Sequence, residues 1–369
     1  MNSVYIKTKI YSGENSLQRL EELKNENIFI VCDEFLLKSI KSLLKYIDES
    51  NKVSIFSEVI PDPPIKVVGK GIALISKFNP TIVIGFGGGS AIDTAKGIIY
   101  FAKHKNILKQ VNFIAIPTTS GTGSEVTRVA VITDTEEKVK HAIFDDDLLP
   151  DEAILDANLT LSVPPSITAN TGMDVLTHAI EAYVSKDANI YSDAFAEKAV
   201  ELVINSLLRC YKDGNDVEAR SRMHEASNLA GMAFNIAGLG INHSLAHVIG
   251  GHFHIPHGLA NAIFLVAVID YNSKDSYTLK KYAKLVKKVG MIESECNDEF
   301  AVNVLKQYIT SIMKIMNMPL NLRECNVDRL VFEEVKSVMA KNVLKDSCTV
   351  YNRRNINYEN METLFEIIY

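Results

Sequence analysis

The strongest constraint on the fold is a change in the length and period of the apolar runs at Val163-Pro164-Pro165. Before that point the runs are short. Residues 27–32 (Asn-Ile-Phe-Ile-Val-Cys), 53–56, 81–85 and 112–116 have strand length, and residues 4–10 add another at the N-terminus. Amphipathic stretches such as 36–46 and 67–78 lie between them. Apolar strands separated by helices specify a parallel sheet with helices on both faces. After the proline pair, strand signals become scarce and helical periodicity runs through 168–184, 193–211, 218–237, 276–289 and 300–316. A length of 369 residues exceeds what one hydrophobic core usually covers. The expectation is therefore α/β plus all-α: a Rossmann-like parallel-sheet domain over residues 1–165 and a helical domain over 166–369. Tandem proline breaks regular structure and suits the boundary.

Two glycine-rich turns follow strands. Gly85-Phe86-Gly87-Gly88-Gly89-Ser90 leads from a strand into a helix over 91–101. Glycines allow a sharp turn and close approach of backbone to a ligand, and the exposed N–H groups of a helix start attract an anion such as phosphate. The spacing departs from GxGxxG, so the standard dinucleotide fingerprint is absent. The second turn, Pro117-Thr118-Thr119-Ser120-Gly121-Thr122-Gly123-Ser124-Glu125, offers hydroxyls and N–H groups that could line a nucleotide, or it is an ordinary polar loop. Asp33 ends its strand. A carboxylate there can bind a ribose 2′-hydroxyl and repel a 2′-phosphate, or simply cap the next helix.

The helical half carries a second constellation. Asp174 and His178 are four apart, as are His243 and His247, so each pair shares a helix face. His252, His254 and His257 follow closely. Nitrogen and oxygen donors without thiolate suit Zn²⁺ or Fe²⁺ and do not decide between them. Spacing alone leaves seven donors and no preferred four. Neither 166–185 nor 231–270 contains a Lys or Arg. Phosphorylated or polycarboxylate substrates normally recruit cations, so a small neutral substrate is expected.

Composition excludes several classes. A net charge of −6 argues against general nucleic-acid binding. No apolar run reaches membrane-span length, and the N-terminus lacks a secretory apolar core. The five cysteines form no CxxC pair and read as reduced thiols of a cytoplasmic protein.

Four motifs together resemble a known family. They are Gly87-Gly88-Gly89-Ser90-x-x-Asp93-x-x-Lys96, the 117–125 turn, Gly172-Met173-Asp174-x-x-x-His178-Ala179-x-Glu181, and His243-x-x-x-His247 followed by Pro256-His257-Gly258. Their order is that of the iron-containing (group III) alcohol dehydrogenases. Tyr11-Ser12-Gly13, Phe56-Ser57-Glu58, Pro61-Asp62-Pro63 and residues 251–262 resemble more narrowly a propanol-dehydrogenase subgroup from propanediol-utilisation microcompartments.

The resemblance implies an N-terminal dinucleotide domain, a C-terminal metal domain and an active site between them. It implies NAD(H) and Fe²⁺ as cofactors, with Zn²⁺ compatible. The metal ligands would be Asp174, His178, His243 and His257, and His247 would be a catalytic proton relay. Gly87, Gly88, Gly89 and Ser90 would hold the pyrophosphate, with Asp93 close by. Thr118, Thr119, Thr122 and Lys140 would line the nucleotide, Asp33 would favour NAD, and Phe234 would wall the substrate pocket. His252 and His254 lie outside the ligand set. Asn352-Arg353-Arg354 replaces the family's usual Asn-Pro-Arg, which puts the C-terminal packing in doubt.

The expected reaction is reversible reduction of a short aldehyde, propanal to 1-propanol, with NADH. Ethanol, butanol and 1,3-propanediol enzymes share the motifs. A lyase of the dehydroquinate-synthase type fits less well, because its anionic substrate would need cations. A non-catalytic scaffold would not keep the ligand set. The expected partners are a small neutral aldehyde or alcohol, further copies of the chain in a homodimer or larger oligomer, and microcompartment shell or enzyme proteins, with no nucleic acid and no membrane.

Overall fold

The computed structural model describes residues 4–135 and 139–369, the side chains of Val139 and Lys140 excepted. They form two compact units, one of residues 5–163 and one built on residues 164–369.

The first unit contains β1 (Lys9–Ser12), β2 (Asn27–Asp33), α1 (Leu37–Leu44), β3 (Lys52–Val59), α2 (Ile65–Phe78), β4 (Ile82–Gly87), α3 (Gly89–His104), β5 (Asn112–Pro117), β6 (Val129–Asp134), β7 (Val139–Phe144) and β8 (Glu152–Leu155). Six strands make one parallel sheet in the order β1-β8-β5-β4-β2-β3. Their two faces alternate with the pleat. Phe29, Val31, Val83, Phe113 and Ala115 pack with Val68, Ile75, Ala95 and Ile98 of α2 and α3. Ile28, Ile30, Ile82, Ile84, Ile114 and Ile116 pack on the other side with Leu17, Leu20, Ile40 and Leu43. Each fully buried Ile or Val contributes about 1.5–3 kcal/mol relative to exposure, which is why both faces must be covered.

The strand order reverses between β2 and β4. In an open parallel sheet, ligands bind outside the carboxyl ends of the strands at such a switch point. Those ends are Asp33 and the Gly87-Gly88-Gly89 turn. The helix after the turn begins at Gly89, two residues earlier than the periodicity suggested.

Two sequence expectations need correction. Residues 4–8 are not strand; β1 begins at Lys9, where pairing with Glu152 of β8 starts. Thr8 instead donates its hydroxyl to the Pro150 carbonyl, 2.8 Å away. The antiparallel β6–β7 pair and β8 are additional. Val129-Ala130-Val131-Ile132 of β6 is an apolar run that the sequence reading left unassigned, whereas β7 mixes polar and apolar residues.

The second unit is helical, with no strand among its described residues: α4 (Pro165–Val184), α5 (Ile190–Lys212), α6 (Val217–Ala237), α7 (Ile241–Phe253), α8 (His257–Asn272), α9 (Ser276–Lys288), α10 (Asp298–Ile315), α11 (Arg329–Val343) and α12 (Tyr358–Ile368). Pro165 opens α4 rather than breaking it, because a first-turn residue needs no N–H partner. From Met173 to Val184 every residue of α4 is buried, so this helix runs through the core. His254 ends α7 in the left-handed conformation, and Pro256 caps α8, so His257 becomes a helix-start residue. Near the C-terminus, Asn352 and Asn272 exchange two amide hydrogen bonds (3.0 and 3.1 Å), and Arg354 donates to the Tyr271 carbonyl. The Asn352-Arg353-Arg354 variant is thus tied to α8. No helix among the described residues is long and apolar enough to cross a membrane.

Candidate functional site

In the first unit the two glycine turns interlock. Pairing of β4 with β5 sets Gly87 opposite Pro117, and the Thr118 N–H donates to the Gly87 carbonyl at 3.0 Å. A Cβ on Gly89 would lie 2.6 Å from Thr122 Cγ2, and one on Gly88 would lie 3.3 Å from Thr119 Oγ1. Gly87 has φ 149°, and a Cβ there would meet Ala91, Leu36 and Asp33 Oδ2 at 2.7, 3.3 and 3.7 Å. Contact therefore disfavours any side chain at Gly87 and Gly89, while Gly88 is only tightly packed. Ser90 enters the first turn of α3, and its carbonyl accepts from Thr94.

Asp33 serves as the cap that the sequence allowed. Its Oδ1 accepts from the Leu36 N–H at 3.0 Å as a cap, while Oδ2 faces the Gly87 turn. Asp93 points inward: Oδ1 accepts from Ser124 Oγ (2.6 Å) and Oδ2 from the Val131 N–H (3.0 Å). Burial raises its pKa, against the pull of Lys96. Fully buried Lys96 donates to the carbonyls of Thr127 and Val129 (both 2.8 Å) and to Thr127 Oγ1 (3.1 Å). Burial lowers its pKa to about 8, opposed by Asp93 and Glu125. Asp93 thus ties α3 to the second turn, and Lys96 ties it to the segment that follows, at Thr127 and Val129. The Lys140 side chain lies outside the described residues.

In the second unit, Asp174, His178, His243 and His257 present donor atoms that all lie within 4.8 Å of one another. They come from α4, α7 and the first residue of α8. Asp174 Oδ1 is 3.7 Å from His243 Nε2 and 3.6 Å from His257 Nε2. Metal–ligand distances of about 2.0–2.2 Å place tetrahedral neighbours roughly 3.4 Å apart, so these donors fit one divalent ion. Gly258 permits the close approach: a Cβ there would sit 2.0 Å from the Asn170 carbonyl oxygen and 3.3 Å from Asp174 Cβ.

Asp174 and His257 are held in the charge states that a metal needs. Burial opposes ionisation of Asp174, but His178, His257 and His243 hold its carboxyl well below the ordinary range. Burial also lowers His257, despite 41% exposure of its side chain, and so favours the neutral imidazole a metal needs. Burial would lower His243 too, yet hydrogen bonds with Asp174 and Glu181 raise it to about 9. Nδ1 of His243 lies 2.5 Å from Glu181 Oε2, and Glu181 also accepts the N–H groups of Asn242 and His243. That carboxylate fixes the ring and leaves Nε2 toward Asp174.

The ring of His178 is stacked between Phe234 (centroids 4.6 Å apart) and His243 (4.5 Å). Phe234 therefore packs directly on a ligand candidate. His247 takes a different partner, Asp346, although its ring stacks on His257 at 5.4 Å. His247, Asp346 and Cys348 form a second group of metal-capable side chains, and His252 and His254 are exposed and belong to neither group among the described residues. Asn261 was not anticipated: its Nδ2 lies 2.7 Å from Asp174 Oδ1 and 3.1–3.2 Å from Nε2 of His243 and His257. Its place one helical turn after His257 was the available signal. Glu181 likewise follows Asp174 and His178 at helical spacing.

Comparison with known proteins accounts for both units. Residues 7–157 match the model of the iron-containing alcohol dehydrogenase family, and residues 168–369 match the C-terminal model of the Fe-containing alcohol dehydrogenase family. Over 368 residues, covering 99% of each chain, the sequence is 45% identical to 1-propanol dehydrogenase PduQ of Salmonella typhimurium. A solved 1,3-propanediol oxidoreductase is 34% identical with a TM-score of 0.94, covering 100% of both chains. Sulfoacetaldehyde reductase of Bifidobacterium kashiwanohense, solved in complex with NAD⁺, is 26% identical with a TM-score of 0.88, covering 100% of this chain and 98% of that one. The chain is a member of the iron-containing alcohol dehydrogenase family.

Proposed function

We propose that this enzyme reduces a short-chain aldehyde, propanal to 1-propanol, reversibly with NADH and Fe²⁺. The observation that carries the reading is one carboxylate and three imidazoles converging among segments that contain no Lys or Arg. Asp174, His178, His243 and His257 hold the ion, with His243 positioned by Glu181. When bound, the ion supplies Lewis acidity toward a carbonyl group and NADH supplies the hydride. Phe234 gives the site an apolar wall, His247 relays the proton, and the lack of Lys or Arg in residues 166–185 and 231–270 disfavours anionic substrates. Gly87, Gly88, Gly89 and Ser90 receive the pyrophosphate, with Thr118, Thr119, Thr122 and Lys140 lining the nucleotide. The choice of propanal follows the 1-propanol dehydrogenase relative. The same likeness favours residence in a bacterial microcompartment with shell or enzyme partners; assembly as a homodimer or larger oligomer is part of the proposal. Residues 1–165 and 166–369 are the corresponding functional domains.

Protein purified anaerobically with Fe²⁺ is expected to oxidise NADH with propanal faster than with charged aldehydes of similar length. A metal-replete, NADH-binding preparation that reduces no aldehyde would sink the proposal. His257→Ala is expected to lose iron and activity together, with kcat down by more than about 100-fold because the Lewis acid leaves with its ligand. Elemental analysis beside the assay checks this; iron retained at wild-type level removes His257 from the ligand set.

Asp33 is proposed to select NADH over NADPH. Asp33→Gly removes the charge facing a 2′-phosphate and is expected to raise the NADPH/NADH ratio of kcat/KM at least about tenfold, since that factor needs only about 1.4 kcal/mol. An unchanged ratio discards the role.

A further inference from the structure

His247 is held from outside the metal motifs. Asp346 lies in the turn between α11 and a short 3₁₀ segment, Thr349–Tyr351, ninety-nine residues further along the chain. Its Oδ2 is 2.9 Å from His247 Nδ1. Its Oδ1 accepts from Ser244 Oγ at 3.0 Å and from the Cys348 N–H at 2.8 Å. Thr349 Oγ1 donates to Ser244 Oγ (2.9 Å) or to the Val343 carbonyl (2.6 Å). A carboxylate is an acceptor only, so His247 must carry its hydrogen on Nδ1, and Nε2 is the nitrogen left to exchange a proton.

We propose that Asp346 is a positioning residue for the reaction, fixing the tautomer and ring orientation of His247. This rests on the proton-relay reading of His247. Asp346 touches neither substrate nor cofactor in this role; it acts through the imidazole, and its other hydrogen bonds hold it in place.

The fixed donors make the amide variant informative. In Asp346→Asn the Cys348 N–H still demands an acceptor, so the amide oxygen takes the Oδ1 place and the NH₂ turns toward His247. The imidazole must then accept at Nδ1 and carry its hydrogen on Nε2, the reverse of the native arrangement. Asp346→Asn is expected to lower kcat about 100-fold, within the usual range for proton-transfer catalysis. KM for propanal, NADH affinity and iron content should stay within about twofold.

The decisive measurement is a double-mutant cycle with His247→Ala. If Asp346 acts only through His247, adding Asp346→Asn to His247→Ala costs no further activity. An additive loss, or an unchanged kcat in Asp346→Asn beside an impaired His247→Ala, overturns the proposal while leaving the relay standing. A wild-type kcat in His247→Ala overturns the relay and this inference together. Should Asp346→Asn fail to fold, Asp346→Ser replaces it in the same cycle, because a serine hydroxyl can still accept from Cys348 N–H but is too short to reach His247.

Discussion

Gly258→Ala is expected to yield protein that folds poorly and binds little iron. The added Cβ would lie 2.0 Å from the Asn170 carbonyl oxygen and 2.7 Å from its carbon, and backbone within helix α4 cannot move aside as a side-chain tip can. Overpacking in a well-packed interior usually costs about 1–3 kcal/mol, and a clash with backbone belongs at or above the top of that range. Relief requires α8 to move away from α4. His257 is the residue before Gly258, so its nitrogen would move away from Asp174, now 3.6 Å distant. Thermal melting with iron analysis tests this: a melting temperature and iron content equal to wild type would mean that the contact relaxes without moving α8.

The second large effect is expected at Lys96. Lys96→Met keeps much of the apolar stem but removes three hydrogen bonds to Thr127 and Val129 and a positive charge beside Asp93 and Glu125. Removing one partner of a buried charged contact costs about 3–5 kcal/mol, so a loss of that order is expected. The loop it anchors continues from the 117–125 turn, so NADH affinity should fall as well. Denaturant unfolding and NADH titration measure the two effects separately. Stability lost with NADH affinity intact would confine Lys96 to the core; both unchanged would refute the anchoring argument.

The sequence was most informative where function and periodicity coincide. Asp174 and His178 could be placed on one face of α4 from their spacing, and the alternating Ile and Val of β2 and β4 announced a sheet covered on both sides. Spacing could not separate His243 from His247, which share α7 and differ by one turn. The distinction is made by partners from elsewhere in the chain: Glu181 and Asp174 for His243, Asp346 for His247. Asp346 carried no local signal, since a lone carboxylate in a turn is usually a cap. His252 and His254 enriched the histidine cluster without joining either metal-capable group. Asp33 was ambiguous because its two oxygens have two surroundings, one a helix start and the other the glycine turn. The β6–β7 pair was not read because β7 (Val-Lys-His-Ala-Ile-Phe) mixes polar and apolar residues, although β6 opens on Val-Ala-Val-Ile.

The ligand candidates lie on α4, α7 and α8, and the chain between the first and last of them passes through α5 and α6. An ion gripping all four would therefore act as a staple across much of the helical unit, adding to the hydrogen bonds and packing that already join these helices. A ligand that binds only the folded state stabilises it by mass action. Iron lost to oxidation or chelation would then loosen this half of the molecule as well as silence it, and an enzyme aged in air should become easier to digest at the α7–α8 turn before it precipitates.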